Sequence, residues 1–148
     1  MISVCSPLEA NLPTALALGS FDGLHAGHRT VIEAITNKEL GIPTVVSFWP
    51  HPREVLYGES RLRLYLPSEK ALLLEPLGIK QLVLVPFNRS LASLSAKEFF
   101  HQVLINNLQA KHIAVGANFR FGKNRDGDAS TLLELGKSSG VTITVINI

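Results

Sequence analysis

Five short stretches of this chain are apolar or β-branched almost without interruption, rather than at every second position. They are Thr14-Ala15-Leu16-Ala17-Leu18, Pro43-Thr44-Val45-Val46-Ser47-Phe48, Gln81-Leu82-Val83-Leu84-Val85, His112-Ile113-Ala114-Val115 and Val141-Thr142-Ile143-Thr144-Val145-Ile146. A strand with one face in water alternates, whereas a strand covered on both faces does not, so these runs read as the interior of a parallel sheet. Four of them stop at a chain breaker: Gly19, Trp49-Pro50, Pro86 and Gly116. Amphipathic stretches fill the gaps. The spacing of Val31, Ile32 and Ile35 predicts a helix from His28 to Leu40, stopped by Gly41 and Pro43. A second helix is predicted over Ser68 to Glu75 with Ser68 as its cap, and a third runs to Leu108 from the capping box Ser95-Ala96-Lys97-Glu98. A fourth is predicted over Ser130 to Ser139, with Gly140 ending it. Strand and helix thus alternate throughout. That order predicts an α/β fold: a Rossmann-like, open parallel five-stranded sheet with helices on both faces.

Length and charge narrow the class further. With 148 residues the chain has the size of one domain with a full core. Its 14 basic and 12 acidic side chains nearly cancel and are scattered, which argues against a nucleic-acid binder. The lone Cys5 excludes an intrachain disulfide and suits a reducing compartment. No apolar run approaches a membrane span, and the first residues lack the pattern of a secretory signal. The expectation is a cytoplasmic protein that engages neither membrane nor nucleic acid.

In an open α/β sheet, ligands bind beyond the carboxyl ends of the strands. Three segments fall there. The first is Gly19-Ser20-Phe21-Asp22-Gly23-Leu24-His25-Ala26-Gly27-His28, in which Gly19, Gly23 and Gly27 recur every four residues. Glycine permits sharp turns and close approach to a ligand, and the segment feeds a helix N-terminus whose free N–H groups attract phosphate. His25 and His28 are spaced to face one point across the first helical turn, where imidazoles can hold phosphate oxygens and offset developing charge. The pattern is neither G-x-G-x-x-G nor a P-loop. The second segment is Trp49-Pro50-His51-Pro52-Arg53, and the third is Gly116-Ala117-Asn118-Phe119-Arg120-Phe121-Gly122. Both lie in long irregular stretches, residues 49–67 and 117–129, of the kind that carries function.

Together these segments resemble one family. Gly19-x-Phe21-Asp22-Gly23-x-His25-x-Gly27-His28 is similar to the His-x-Gly-His signature of the nucleotidyltransferase superfamily. With Phe48-Trp49-Pro50-His51-Pro52 and Gly116-x-Asn118-Phe119-x-Phe121-Gly122 following in order, the chain resembles the FMN adenylyltransferase module of bacterial FAD synthetase, the bifunctional riboflavin kinase/FMN adenylyltransferase. The resemblance spans residues 14–146. It implies the reaction FMN + ATP → FAD + pyrophosphate with Mg²⁺, by direct in-line transfer. It also implies that His25 and His28 are catalytic and hold the ATP phosphates. Gly19, Phe21, Asp22, Gly23, Gly27 and Asn118 would complete the ATP site. Phe48, Pro50, His51, Pro52, Asn118 and Phe121 would contact FMN. No protein residue is assigned to a metal. Two departures stand out: position 49 is Trp where a polar residue is expected, and the sequence reaches Ile148 before the family's Ser/Thr-rich segment that ends in Arg. The expectation is one adenylyltransferase domain over residues 1–148 without the riboflavin kinase domain, either a fragment or a shortened relative.

Plainer readings of the same residues stay open. Pro50-His51-Pro52 suits a rigid turn, and Asp22 and Asn118 suit turn positions. His25, His28 and His51 are also zinc-ligand types, although no third spacing fits well. Phe119 and Phe121 alternate, so one ring can point into the core and only the other toward a ligand. A flavin- or nucleotide-binding module without catalysis is the alternative function. Another small-molecule nucleotidyltransferase, acting on pantetheine phosphate or nicotinamide mononucleotide, is the second.

Overall fold

The computed structural model describes residues 2–19, 26–36, 40–49 and 67–147. Its centre is one all-parallel sheet in the order β1-β4-β3-β2-β5-β6. The strands are β1 (Ser3–Cys5), β2 (Thr14–Leu18), β3 (Ile42–Trp49), β4 (Gln81–Pro86), β5 (Ala110–Gly116) and β6 (Thr142–Ile146). The helices are α1 (Ala26–Thr36), α2 (Pro67–Leu74), α3 (Arg89–Ala92), α4 (Ala96–Phe99) and α5 (Ala129–Ser139). The five predicted strands are all present. The sheet has six because β1 adds an edge strand, Ser3–Cys5 pairing with Gln81–Val83. Three residues with a half-exposed pattern carry no apolar run, so this strand exists only through its partner.

Alternation within β2 sorts the core into two layers. Ala15 and Ala17 join Ala114, Val31, Ile32, Ile35 and Leu74 on the face covered by α1 and α2. Leu16 and Leu18 join Phe99, Phe100, Leu104, Ile113, Val115 and Leu132 on the other face. The small side chains lie under α1, which packs on β2, β3, β5 and β6. The large ones fill the space beneath α4 and α5, each fully buried Leu or Phe contributing roughly 1.5–3 kcal/mol.

Several predicted helix limits shift. Helix α1 starts at Ala26, before His28, and α2 starts at Pro67, with Ser68 inside it rather than at its cap. Proline suits a first helical position because its missing N–H has no helical partner there. The capping box Ser95/Glu98 opens α4 as predicted, but after Phe99 the chain continues as a π-helix over Phe100–Asn107, closed by a Leu108 N–H···O=C Val103 bond of 3.1 Å. The wider turn keeps Phe99, Phe100, Val103, Leu104 and Leu108 all buried. A pattern of apolar residues three and four apart does not distinguish the two helix types. Helix α5 begins at Ala129, capped by Asp128, whose side chain accepts from the Thr131 N–H. Gly140 ends it in a left-handed conformation, as expected.

Between β1 and β2 the chain must return to the amino ends of the strands. Gln81 anchors that crossing: its amide donates to the Asn11 carbonyl at 3.0 Å and to Thr44 Oγ1 at 2.9 Å, and accepts from the Asn11 N–H at 3.1 Å.

Candidate functional site

Strand order locates the site. From β2 the chain moves outward through β3 to β4, then crosses back so that β5 lies on the other side of β2. The crevice of an open sheet opens where this direction reverses, beyond the carboxyl ends of β2 and β5. Gly19 follows β2 there, half-buried, and the first turn of α1 carries Gly27 and His28, also half-buried. On the neighbouring strand, β3 ends with Ser47 buried and Phe48 and Trp49 half-buried. On the other side, β5 ends at Gly116, and Ala117 and Asn118 are exposed. The Phe119 N–H donates to the Gly116 carbonyl at 3.0 Å and closes a tight turn that presents Asn118. The described parts of the predicted segments, Gly19 with Gly27 and His28, Trp49, and Gly116 to Phe119, thus lie toward the carboxyl end of the sheet. Phe21, Asp22, Gly23, His25, Pro50, His51 and Pro52 lie outside the described residues.

Gly19 is clamped on two sides. Its N–H donates to the Val46 carbonyl at 3.2 Å, and its carbonyl accepts from the Ser47 hydroxyl at 2.8 Å. Ser47 Oγ in turn accepts from Lys70 Nζ, from α2, at 3.3 Å. Lys70 is only 4% exposed. The sequence reading missed this lysine, because a Lys one turn before Leu74 in an amphipathic helix looks like an exposed residue.

The opposite face of the sheet carries aromatic rings. Phe87 and Phe48 meet edge to face at 5.6 Å, Phe48 and Phe99 lie 5.8 Å apart, and Phe99 and Phe121 lie 5.9 Å apart. Phe119 and Phe121 stack at 5.8 Å with an interplanar angle of 18°. Of the pair, Phe121 is 4% exposed and belongs to the core, while Phe119 is half-buried. Their loop folds back on itself: Phe121 and Gly127 exchange N–H···O bonds of 3.1 and 2.8 Å. It is also tied to the start of α4, where the Lys123 N–H donates to the Leu94 carbonyl at 2.7 Å. Gly122 is required at this docking point. It has φ 83°, and an added Cβ would lie 2.7 Å from the Ala96 nitrogen.

The titratable groups around this loop serve the helix ends. The Thr131 N–H and hydroxyl hold the Asp128 carboxyl below its ordinary pKa, with Arg120 adding a smaller pull. The Ser95 N–H and hydroxyl do the same for Glu98. His112 lies toward the amino end of β5, buried, with Nε2 2.8 Å from Thr144 Oγ1. Among the described residues, no three His, Cys, Asp or Glu side chains converge as a metal site. No helix among them is long and apolar enough to cross a membrane.

Comparison with known proteins identifies the family of the chain and its fold. The family model described as FAD synthetase matches residues 8–148. A bifunctional riboflavin kinase/FMN adenylyltransferase of Pseudomonas fluorescens is 35% identical over 129 residues, covering 85% of this chain and 42% of that protein. The protein of that name from Haemophilus influenzae is 34% identical over 133 residues, covering 87% of this chain and 43% of its own length. The chain therefore spans less than half the length of these relatives. Among solved structures, a macrolide-efflux protein from Streptococcus pneumoniae superimposes with a TM-score of 0.84 at 25% identity, covering 99% of this chain and 52% of that one. A pantoate-beta-alanine (pantothenate synthetase) protein from Thermus thermophilus superimposes at 0.56 with 16% identity over 100% of this chain and 61% of its own, a likeness of fold alone.

Proposed function

The chain belongs to the FAD synthetase family, and on that footing we propose that it carries the FMN adenylyltransferase half of the activity named for its relatives. An oxygen of the FMN phosphate attacks the α-phosphorus of ATP. The bond from that phosphorus to the bridging oxygen breaks, and pyrophosphate leaves as FAD forms. Such a transfer needs positioning and charge neutralisation rather than a protein nucleophile. The observation that supports the reading is the placement of the α1 first turn, bearing Gly27 and His28, and the Gly116–Phe119 turn, bearing Asn118, beyond the carboxyl ends of the adjacent strands β2 and β5, where the strand order reverses.

In this reading the triphosphate lies against the N–H groups at the start of α1, where the helix dipole favours anions. His28, and by the resemblance His25, hold the phosphates and offset the charge that grows on the departing pyrophosphate. Gly19, Phe21, Asp22 and Gly23 are assigned to the nucleotide. Mg²⁺ would accompany ATP as counter-ion, and Asn118, an exposed residue, would offer its amide oxygen as a hard neutral donor of the kind that ion accepts. The flavin is assigned to the aromatic face. The half-buried ring of Phe119, backed by buried Phe121, offers a flat apolar wall, with Phe48 beyond it, and Pro50, His51 and Pro52 are assigned to FMN by the resemblance. The substrates are intracellular phosphates, so the reading carries a cytoplasmic location with it.

The test is incubation of the chain with ATP, Mg²⁺ and FMN, followed by chromatography. FAD and pyrophosphate in equal amounts are expected, and riboflavin in place of FMN should yield neither. Tight FMN or ATP binding without any FAD would turn the assignment to the non-catalytic module.

A further inference from the structure

An ammonium group removed from water costs several kcal/mol unless it is held by partners. Lys70 is 4% exposed, on the inner side of α2 one turn before Leu74. Its contact with Ser47 leads toward the proposed phosphate site. Lys70 Nζ donates to Ser47 Oγ at 3.3 Å, and the Ser47 hydroxyl donates to the Gly19 carbonyl at 2.8 Å. A lysine can only donate, so its presence at Ser47 Oγ directs the single hydroxyl proton toward Gly19. Holding that carbonyl sets the plane of the peptide by which the chain leaves β2 for α1. Leu74 of α2 packs in the same layer as Val31, Ile32 and Ile35 of α1, so the ammonium lies on the side of the sheet that α1 occupies.

We propose that Lys70 is a positioning residue for the triphosphate: acting through the Ser47 hydroxyl, its buried ammonium holds the Gly19 peptide in the orientation the phosphate-binding segment needs. The assignment rests on the nucleotidyl-transfer reading above.

Lys70→Met and Ser47→Ala, singly and together, test this by equilibrium binding of a non-hydrolysable ATP analogue and, separately, of FMN. Lys70→Met should weaken analogue binding about tenfold and Ser47→Ala about fivefold, both with FMN affinity within about twofold of the parent. The double variant should be no weaker than about twofold below Lys70→Met, since both act on one chain of hydrogen bonds. Hydrogen exchange at the Gly19 amide, one peptide before the held carbonyl and bonded to the Val46 carbonyl, should quicken in both single variants as the exit from β2 loosens, while β5 amides keep their protection. Unchanged analogue affinity in folded Lys70→Met, or equal loss of analogue and FMN affinity, overturns the proposal. Should Lys70→Met fail to fold, Ser47→Ala decides alone: about fivefold supports the link and parental affinity refutes it. Absence of FAD formation by the parent chain would strike at the proposed function instead, and Gly19 exchange would still report whether Lys70 steadies the exit from β2.

Discussion

Replacing Gly122 with Ala tests whether the Gly116–Gly127 loop is held in place by its docking on α4. Two separable penalties arise. The backbone there has φ 83° and ψ 173°, a region that side chains other than glycine occupy at a cost of roughly 1–3 kcal/mol. A new Cβ would also lie 2.6 Å from Asp126 Oδ1, 2.7 Å from the Ala96 nitrogen and 2.9 Å from the Ala96 Cα. The carboxylate can swing away, but the Ala96 backbone is the first residue of a capped helix and cannot move alone. Overpacking against such a neighbour costs about 1–3 kcal/mol. Together we expect about 3 kcal/mol in urea unfolding, which for a chain of this size lowers Tm by roughly 6–12 °C. Gly140→Ala is the control. It is also left-handed, with φ 70°, but a Cβ there meets nothing within 4 Å. It should cost only about 1 kcal/mol. FMN affinity should fall in Gly122→Ala, because the loop carries Phe119, and stay parental in Gly140→Ala. Equal losses of stability in the two variants would refute the docking argument.

His28→Ala should lower the rate of FAD formation far more than it weakens FMN binding, and an equal loss of both would remove His28 from the phosphates. Phe119→Ala should weaken FMN binding about tenfold, since a stacking face is lost, with little change in Tm. Phe121→Ala should instead destabilise the fold by about 3–5 kcal/mol, and the opposite division between the two rings would mean that Phe121 is the one in contact with flavin. Asp128→Ala should destabilise at neutral pH. The Thr131 groups hold the Asp128 carboxyl below its ordinary pKa, so its contribution is complete above the unfolded value and is lost as pH falls through the lower folded value. Chemical unfolding at successive pH values should show the gap between variant and parent closing in acid; a gap constant with pH would separate the cap from the carboxylate charge.

Local pattern carried much of this protein. Continuous apolar runs at β2, β3, β4 and β5 announced strands covered on both faces, because burial on both sides removes any need for alternation, whereas β6, whose run looked the same, is an edge strand and stays partly exposed. The glycine-spaced segment from Gly19 to His28 and the turn residues after Gly116 were legible as a candidate site, because glycine and strand ends are written in adjacent residues. The caps at Ser95 and Gly140 were legible for the same reason. Only the tertiary structure decided the rest. Strand β1 depends on Ser3 meeting Gln81, and no short window of sequence contains both. The π-turns after Phe99 depend on how many neighbouring rings one face of a helix must bury. Phe119 and Phe121 separate into outer and inner rings only when Gly127 pairs with Phe121. Lys70 reads as a solvated charge until α2 is laid against β3, since burial belongs to the packing of distant segments and not to the residue itself.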